Sequence, residues 1–326
     1  MKALELTETK RLKLRDLPIF EPEEGQVAIK VTRCALCRTD AKMWKSGHRH
    51  LVLPRVLGHE FCGIREDDKK RYVIWPGKAC GRCFHCRSGY ENLCKDMLIL
   101  GFHENGGLSE YVSVSEQSLI PLPEKLSDDL ACMAEPLACA INALDMAHIL
   151  EGQSVLIFGA GALGLFMALG VKSRGAIPYI SEINSQKFGK SRKFREMLGI
   201  FSLDDYTGSL GFDAAINAAP SPDTFFEGIK KLRSGGCFCI FSGLIAGNIS
   251  LASEFLNAAN DIHYRQLRVT GSYGCTREQM KLSLNLLYDY NDAARLLISR
   301  HIGLEDVPAA LAEILDGRVF KFVVNL

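Results

Sequence analysis

Four cysteines lie within fifteen residues of this chain, and their spacing is typical of a metal site. Cys80, Cys83, Cys86 and Cys94 follow the pattern C-x2-C-x2-C-x7-C. Two-residue gaps allow thiolates to converge on one ion, and four thiolates close a tetrahedral zinc shell without leaving a position for substrate. An iron–sulfur cluster is the alternative, but the spacing fits the ferredoxin patterns poorly. The pattern predicts a structural zinc site, with His85 outside a shell that four thiols complete.

A second set of possible ligands is chemically mixed. Cys37-Arg38-Thr39-Asp40 is followed by Gly58-His59-Glu60. A cysteine, a histidine and carboxylates are ligands of the kind that leave one zinc coordination position open for chemistry. Each string alone is weak, because a single histidine is more often a structural residue. The combination favours a catalytic metal site.

A glycine-rich string, Gly159-Ala160-Gly161-Ala162-Leu163-Gly164, matches the G-x-G-x-x-G fingerprint of a dinucleotide site. It follows the apolar run 154–158 and opens a helical pattern over 162–174, which is the context that gives this motif meaning. Gly159 would allow the tight turn, Gly161 the approach of a pyrophosphate, and Gly164 the close packing of helix on strand. The helix N-terminus would then face the phosphates.

Glu182 provides the acidic residue that a dinucleotide site needs about 20 positions after its glycines. It ends Ile180-Ser181-Glu182, 21 positions after Gly161. A carboxylate there would accept hydrogen bonds from the adenosine ribose hydroxyls and repel a 2′-phosphate. No arginine follows it, so NAD is favoured over NADP, although Ser181 and Lys187 leave room for a phosphate.

Two patterns of secondary structure must position these residues. In the first 120 residues, short β-like runs are broken by Gly and Pro, with predicted strands at 27–31, 71–75 and 108–114. From Ser154 onward, apolar strands alternate with helical patterns, which implies βαβ units and a parallel sheet. Those strands are predicted at 154–158, 178–182, 212–218, 237–242 and 267–270. The fold class is therefore α/β, a β-rich domain followed by a doubly wound parallel sheet.

The composition excludes several classes of partner. The chain has 326 residues, 47% hydrophobic and 24% charged, with a net charge of +1. This length is sufficient for two domains. Neither a basic excess nor a Lys/Arg block is present, so we expect no nucleic-acid or anionic-membrane partner.

The sequence carries no recognisable targeting or membrane segment. MKALELTETK lacks the apolar core of a signal peptide, and the longest nearly apolar run, 155–171, is interrupted by four glycines. Twelve cysteines without a secretory signal point to a reducing compartment, where clustered thiols are metal ligands more often than disulfides. We therefore expect a cytoplasmic protein.

Taken in chain order, the motifs resemble those of the zinc-dependent medium-chain alcohol dehydrogenase family. The series comprises Cys37-x-Thr39-Asp40, Gly58-His59-Glu60, the four-cysteine lobe, Gly106-Gly107-Leu108-Ser109-Glu110-Tyr111, Glu135-Pro136-Leu137-Ala138 and the glycine loop. The resemblance spans essentially the whole chain. It implies a GroES-like catalytic domain at 1–123 and 272–326, with the structural-zinc lobe at 80–94, and a Rossmann NAD-binding domain at 124–271.

The resemblance also implies a ligand set. Cys37 and His59 would bind the catalytic zinc directly, with Glu60 in or beside the coordination shell. Many family members have a second cysteine where this chain has Glu135. In this respect the chain resembles the polyol and sorbitol dehydrogenase branch, in which the glutamate at this position binds zinc directly or through water. Two zinc ions per chain would follow. Cys132 and Cys139 flank Glu135 off the motif position, and we expect them to be small buried residues.

Roles for neighbouring residues follow by position. Asp40 would orient the His59 ring by accepting its free N–H, and Thr39 would take the alcohol proton as the first member of a hydroxyl relay. Many members have histidine where this chain has Lys42, so the relay would run through Lys42 or through cofactor hydroxyls and water. The dinucleotide contacts would come from Gly159, Gly161, Ala162, Leu163, Gly164 and Glu182. The candidates for the wall of the substrate pocket are the loop histidines His48 and His50, together with Trp44, His103 and Tyr273.

The expected function is NAD-dependent, zinc-dependent oxidation of an alcohol such as a polyol, a sugar alcohol or a related hydroxy compound. A threonine-type 3-hydroxy amino acid dehydrogenase shares most of these motifs and is the alternative enzyme. A zinc-free enone or quinone reductase would not need Cys37, His59 and Glu135 together. A redox-sensing or binding module on the same fold is the non-enzymatic alternative. The resemblance also implies a homodimer or homotetramer.

Overall fold

The computed structural model of the protein describes residues 1–18, 21–243 and 252–326. The chain divides into two compact units, one formed by Met1–Ala138 with Cys275–Leu326 and the other by Cys139–Gly274. The domain bounds implied by the resemblance, 1–123 with 272–326 and 124–271, remain a prediction. Among the described residues, the structure has no helix long and apolar enough to cross a membrane.

The first unit begins with short strands and few helices. In chain order these elements are β1 (Lys2–Glu8), β2 (Arg11–Asp16), β3 (Gln26–Ala35), α1 (Arg38–Ser46), β4 (Arg55–Val56), β5 (Glu60–Arg65), β6 (Arg71–Ile74), β7 (Gly77–Lys78), α2 (Phe84–Arg87), β8 (Leu98–Ile99), β9 (Tyr111–Ser115), β10 (Leu119–Pro121) and α3 (Asp128–Ala131). Helix α4 (Ala134–Ala147) begins in the first unit and continues into the second, which starts at Cys139.

The second unit alternates strands and helices, and the chain then returns to the first unit. The alternating elements are β11 (Ser154–Phe158), α5 (Ala162–Ser173), β12 (Ile177–Ser181), α6 (Ser185–Lys190), α7 (Arg192–Leu198), β13 (Phe201–Ser202), β14 (Phe212–Asn217), α8 (Asp223–Lys231), β15 (Leu232–Ile240), α9 (Ala252–Tyr264) and β16 (Arg268–Gly271). The returning segment forms α10 (Arg277–Asp289), α11 (Asn291–Arg295), β17 (Ile298–Ile302), α12 (Val307–Leu315) and β18 (Lys321–Asn325).

Strand β3 is the centre of the first unit. It pairs with β5, β9 and β18 in a seven-stranded sheet of order β10-β6-β5-β3-β18-β17. Alternate residues of β3 point into a core that includes Ile29, Val31, Phe61 and Phe322, all fully buried. Because β5 and β18 both flank β3, residues at the start of these two strands come together, although they are far apart in sequence.

The sheet of the second unit is wholly parallel. Its order is β13-β12-β11-β14-β15-β16, the doubly wound arrangement in which the first strand pairs with the second and the fourth. Val155, Leu156, Ile157 and Phe158 of β11 are all buried, as expected of a strand covered on both faces. The predicted α/β class, a Rossmann sheet joined to a β-rich GroES-like domain, is confirmed.

Some predicted element bounds differ from the structure. The strand predicted at 108–114 begins only at Tyr111, because residues 108 and 110 hydrogen-bond to Leu57, Lys2 and Val31 outside a continuous ladder. Strand β15 begins at Leu232, five residues before the predicted strand at 237–242. Glycines at 235 and 236 obscured that earlier start in the sequence, because glycine is depleted from strands.

Candidate active site

The four cysteines of the lobe gather around one point. The Sγ atoms of Cys80, Cys83, Cys86 and Cys94 all lie within 4.8 Å of one another. Backbone amides support negative charge there, and the N–H of Cys86 lowers the pKa of the Cys83 thiol to about 6. Four converging thiols with amide donors fit a closed zinc shell. His85 lies outside this set, in the one-turn helix α2.

The mixed set of residues also converges. Ligand atoms of Cys37, His59 and Glu60 lie within 4.8 Å of one another. Cys37 is the N-cap of α1, where its Sγ accepts a hydrogen bond from the N–H of Thr39 at 3.4 Å. His59 and Glu60 lie at the start of β5, 5% and 0% exposed. A thiol, an imidazole and a carboxylate in a buried position form a donor set that zinc accepts.

Asp40 determines which nitrogen of His59 can bind a metal. Asp40 Oδ2 accepts a hydrogen bond from the N–H of Cys37 at 2.9 Å, and Oδ1 lies 3.2 Å from His59 Nδ1. Burial would lower the pKa of His59, but the Asp40 carboxylate and the Cys37 thiol raise it well above its usual range. Because Nδ1 faces Asp40, Nε2 is the nitrogen left for a ligand. The two residues therefore fit a metal-binding imidazole with a carboxylate behind it.

Glu60 has a partner that the sequence did not reveal. Lys321 Nζ donates to Oε1 of Glu60 at 2.6 Å and also contacts Oε2, and its ammonium reaches the carbonyl of Leu36 at 3.3 Å. The Lys321 side chain is 4% exposed and that of Glu60 0%. The sequence signal that could have revealed this partner is a single lysine in the apolar closing strand, because lysine is almost never buried unless it is paired with an opposite charge.

Glu135 lies in the first turn of α4. Among the described residues, the 4.8 Å set formed by Cys37, His59 and Glu60 does not include it. Its charge nevertheless acts on the same region: burial raises the pKa of Glu60, Lys321 opposes that rise, and Glu135 adds to it. The structure thus places Glu135 within electrostatic reach of Glu60 and Lys321.

Helix α1 brings two further predicted residues to this region. Thr39 and Lys42 are three positions apart in α1, so they share one face of the helix. Thr39 is half-buried beside the Cys37 thiol, whereas Lys42 is exposed. Arg38, also exposed, donates to the carbonyl of Ile314 at 3.4 Å.

The glycine loop has the shape that the fingerprint predicts. Gly159 has a φ of +110°, which side-chain-bearing residues rarely adopt, and a Cβ on Gly164 would overlap the carbonyl oxygen of Gly159. A Cβ on Gly161 would meet only the side chain of Lys187. Gly161 is the N-cap of α5, with no side chain capping the helix, so the first amides, including those of Ala162 and Leu163, remain available to an anion.

Glu182 lies at the end of β12, against the glycine loop. Its Oε2 accepts a hydrogen bond from the N–H of Ala160 at 2.8 Å, and its Oε1 accepts one from Asn184 at 3.0 Å. Lys187 Nζ is 3.0 Å from Oε2. Burial would raise the pKa of Glu182, but the two backbone amides and Lys187 hold it below its usual range. The carboxylate is therefore ionised and directed at the loop.

The remaining pocket candidates fall in different surroundings. His48, His50 and His103 lie close together, whereas Trp44 packs against the core of the first unit. Tyr273 belongs to the second unit and is 54% exposed. Cys132 is buried, in agreement with its expected role as a small apolar residue, whereas Cys139 is only half-buried, so the same expectation was wrong for Cys139.

The chain resembles proteins of known type over nearly its whole length. Residues 23–124 match the alcohol dehydrogenase GroES-like domain. An L-threonine 3-dehydrogenase from Rhizobium etli (strain CIAT 652) is 29% identical, with 96% of this chain and 94% of the relative aligned. A D-altritol 5-dehydrogenase from Agrobacterium fabrum is 28% identical over 94% of each chain. A zinc-binding dehydrogenase structure from Sinorhizobium meliloti 1021, bound to NADP, has a TM-score of 0.86 at 27% identity, covering 100% of this chain and 99% of that one.

Proposed function

We propose that this chain is a member of the zinc-dependent medium-chain alcohol dehydrogenase family and that it transfers a hydride between NAD and a polyol, a sugar alcohol or a related hydroxy compound. The observation that carries the proposal is the convergence of Cys37, His59 and Glu60 within 4.8 Å, with Asp40 facing the second nitrogen of His59. The D-altritol dehydrogenase relative supports the choice of a polyol.

Cys37 and His59 would hold the catalytic zinc directly. Glu135 is the proposed third ligand, directly or through water, because Lys321 already pairs with Glu60. Zinc held by these residues would stabilise negative charge on the substrate oxygen, and a dinucleotide at the glycine loop would supply the hydride acceptor. Glu60 would then act beside the metal, as a carboxylate whose position Lys321 determines.

Thr39 would receive the proton of the alcohol. Its hydroxyl is beside Cys37, and its backbone N–H is already used by the Cys37 thiol, which fixes the residue at the start of α1. From Thr39 the proton would pass towards solvent, through cofactor hydroxyls and water or through Lys42 one helical turn further along. Asp40 would keep His59 in the tautomer that presents Nε2.

The glycine loop and Glu182 would bind the dinucleotide. The open amides of α5 suit the pyrophosphate, and the ionised Glu182 suits adenosine ribose hydroxyls more than a 2′-phosphate. We therefore propose NAD as the cofactor. Lys187 is the residue that favours tolerance of NADP, the cofactor bound in the S. meliloti relative.

We propose a second zinc in the four-cysteine lobe, where it would hold the segment 80–94 in place without taking part in the reaction.

A homodimer or homotetramer is proposed as well. Edge strand β16 supports it, because β16 pairs only with β15 in the described part of the chain and leaves Val269 41% exposed. The cysteine content supports a cytoplasmic location.

Oxidation of L-threonine is the second candidate activity. It rests on the relative from R. etli, whose identity to this chain is similar to that of the polyol dehydrogenase. Both substrates carry a secondary alcohol, so the metal set alone does not separate them. A binding or redox-sensing module is the non-enzymatic alternative, and turnover of any of these alcohols would eliminate it.

The test is a cofactor-coupled screen of the zinc-loaded protein. Polyols, inositols, sugar acids and L-threonine are each offered with NAD or NADP, and reduced cofactor is followed by absorbance. We expect a polyol or sugar acid to reduce NAD faster than threonine does. Turnover of threonine alone would replace the proposed substrate class. Turnover of no alcohol, with zinc bound at both sites, would refute the enzymatic proposal.

A further inference from the structure

Three imidazoles cluster at the surface of the first unit, next to the candidate metal site. The ring centroids of His48 and His50 are 5.5 Å apart, and those of His50 and His103 are 5.8 Å apart. His48 and His50 belong to the loop after α1, and His103 follows β8. We call His48, His50 and His103 the histidine cluster.

Each ring of the cluster accepts a hydrogen bond at one nitrogen. His48 Nδ1 accepts from the N–H of His50 at 3.2 Å, His103 Nδ1 from the N–H of Ile99 at 3.1 Å, and His50 Nε2 from Arg49 Nε at 3.0 Å. A neutral imidazole that accepts at one nitrogen carries its proton on the other. The cluster therefore presents three ring N–H groups, for which the described residues provide no acceptor.

Cations surround this cluster. Lys42, Arg49 and Arg55 act on it, and burial together with neighbouring positive groups lowers the pKa of both His48 and His103. Among the described residues, Glu104 is the carboxylate that acts on His103 and Arg55, and it pairs with Lys78 at 3.2 Å. Ring N–H donors among these positive side chains make a surface suited to an anion.

Phe102 connects the cluster to the candidate active site. Its ring centroid is 5.5 Å from that of His48 and 5.4 Å from that of His59, with edge-on packing in both cases. The cluster is thus one aromatic ring away from a proposed zinc ligand. A small molecule with its reacting hydroxyl near His59 would need to extend past Phe102 for its far end to reach the cluster.

From this geometry we propose that the substrate is an anionic polyol, whose carboxylate or phosphate is bound by the histidine cluster with Arg49 and Lys42. The inference rests on the proposed function and specifies its substrate class. A neutral polyol would bring no negative charge to complement these cations and ring N–H groups. The three rings are a poor alternative metal site, because among the described residues they do not form a set of ligand atoms within 4.8 Å.

The first experiment compares matched substrates with the zinc-loaded enzyme. A neutral hexitol, the aldonate of the same configuration and the corresponding hexitol phosphate are each tested for kcat/KM and for binding by titration calorimetry. We expect one of the anionic compounds to exceed the neutral one by about tenfold or more, in line with hydrogen bonds to charged groups. Preference for the aldonate or for the phosphate identifies which anion is bound.

The second experiment removes the donors. The combined variant His48→Gln, Arg49→Gln and His50→Gln should lower kcat/KM for the anionic substrate, through KM, by about tenfold more than it lowers kcat/KM for the neutral hexitol. Lys125→Gln is the matched control, because Lys125 is an exposed lysine of the same unit and lies in the loop before α3. Melting curves establish that the variants are folded.

The possible outcomes separate this inference from the proposed function. Equal kcat/KM for neutral and anionic polyols, or equal losses for both in the combined variant, would overturn the inference and leave the proposed function standing. Turnover of neither kind of polyol would overturn both. An anion preference that the combined variant abolishes and Lys125→Gln preserves would support the inference.

Discussion

Lys321 and Glu60 form a buried ion pair behind the candidate metal site, with Nζ 2.6 Å from Oε1. The two residues are 261 positions apart and meet because β18 and β5 both pair with β3. Burial alone would lower the pKa of Lys321, but the Glu60 carboxylate raises it above its usual range. A carboxylate beside a proposed zinc ligand is thereby held by a residue of the closing strand.

Replacing Lys321 should be strongly destabilising. In Lys321→Met the Glu60 charge remains buried without its partner, and we expect a loss of about 3–5 kcal/mol in the free energy of unfolding. Denaturant unfolding of the zinc-loaded protein measures it. Lys321→Arg, which keeps the charge, is the control and should lose less. The double variant Lys321→Met with Glu60→Gln should recover part of the lost free energy of unfolding. If the double variant recovers none of it, this account of the ion pair is wrong.

Zinc content should separate the two cysteine sites. Cys37→Ser should reduce the metal content from two zinc ions to one and abolish turnover, whereas Cys83→Ser should remove the other ion. Because we propose a structural role for the lobe site, Cys83→Ser should lower the melting temperature more than Cys37→Ser does. Elemental analysis and a melting curve provide the two readouts. Full activity in Cys37→Ser would show that this cysteine is not a ligand of a catalytic metal.

Asp40→Asn tests how the imidazole is oriented. The amide keeps the size of the side chain and can still accept from the N–H of Cys37, but it removes the charge that faces His59 Nδ1. We expect zinc affinity at the catalytic site to fall about 10–100-fold. Competition with a chelator measures the affinity. Asp145→Asn is the matched control, an aspartate of the second unit paired with Arg174, and zinc affinity equal in the two variants would refute the role of Asp40.

Glu182 and Lys187 should have opposite effects on cofactor choice. Glu182→Ser removes the carboxylate near the glycine loop, so NAD should bind about tenfold more weakly while NADP binds more tightly. Lys187→Gln should weaken NADP more than NAD, because it removes the nearby positive charge. Dissociation constants from fluorescence titration with each dinucleotide are the measurement. Glu196→Gln, an exposed glutamate in α7, is the control and should leave both constants unchanged.

The family and the main architecture were recognisable from sequence because their signals are local. The glycine loop, the cysteine spacing and the alternation of strands and helices each lie within short segments, where periodicity and steric requirements leave a direct mark. Gly159 and Gly164 illustrate this: the positive φ of the first and the contact of the second with a carbonyl are consequences of one tight turn. The prediction of a Rossmann sheet with a GroES-like domain was correct for this reason.

Long-range pairings were decided only by the tertiary structure. Lys321 meets Glu60 through strand order in the β-rich sheet, and His103 joins His48 and His50 through its ring contact with His50, more than fifty positions earlier in the chain. No periodicity encodes such meetings, because they depend on register between distant strands. By itself, the sequence determined the types of group available for chemistry. The fold determined which charges are buried together, and therefore which carboxylate is paired and where an anion would find unpaired donors.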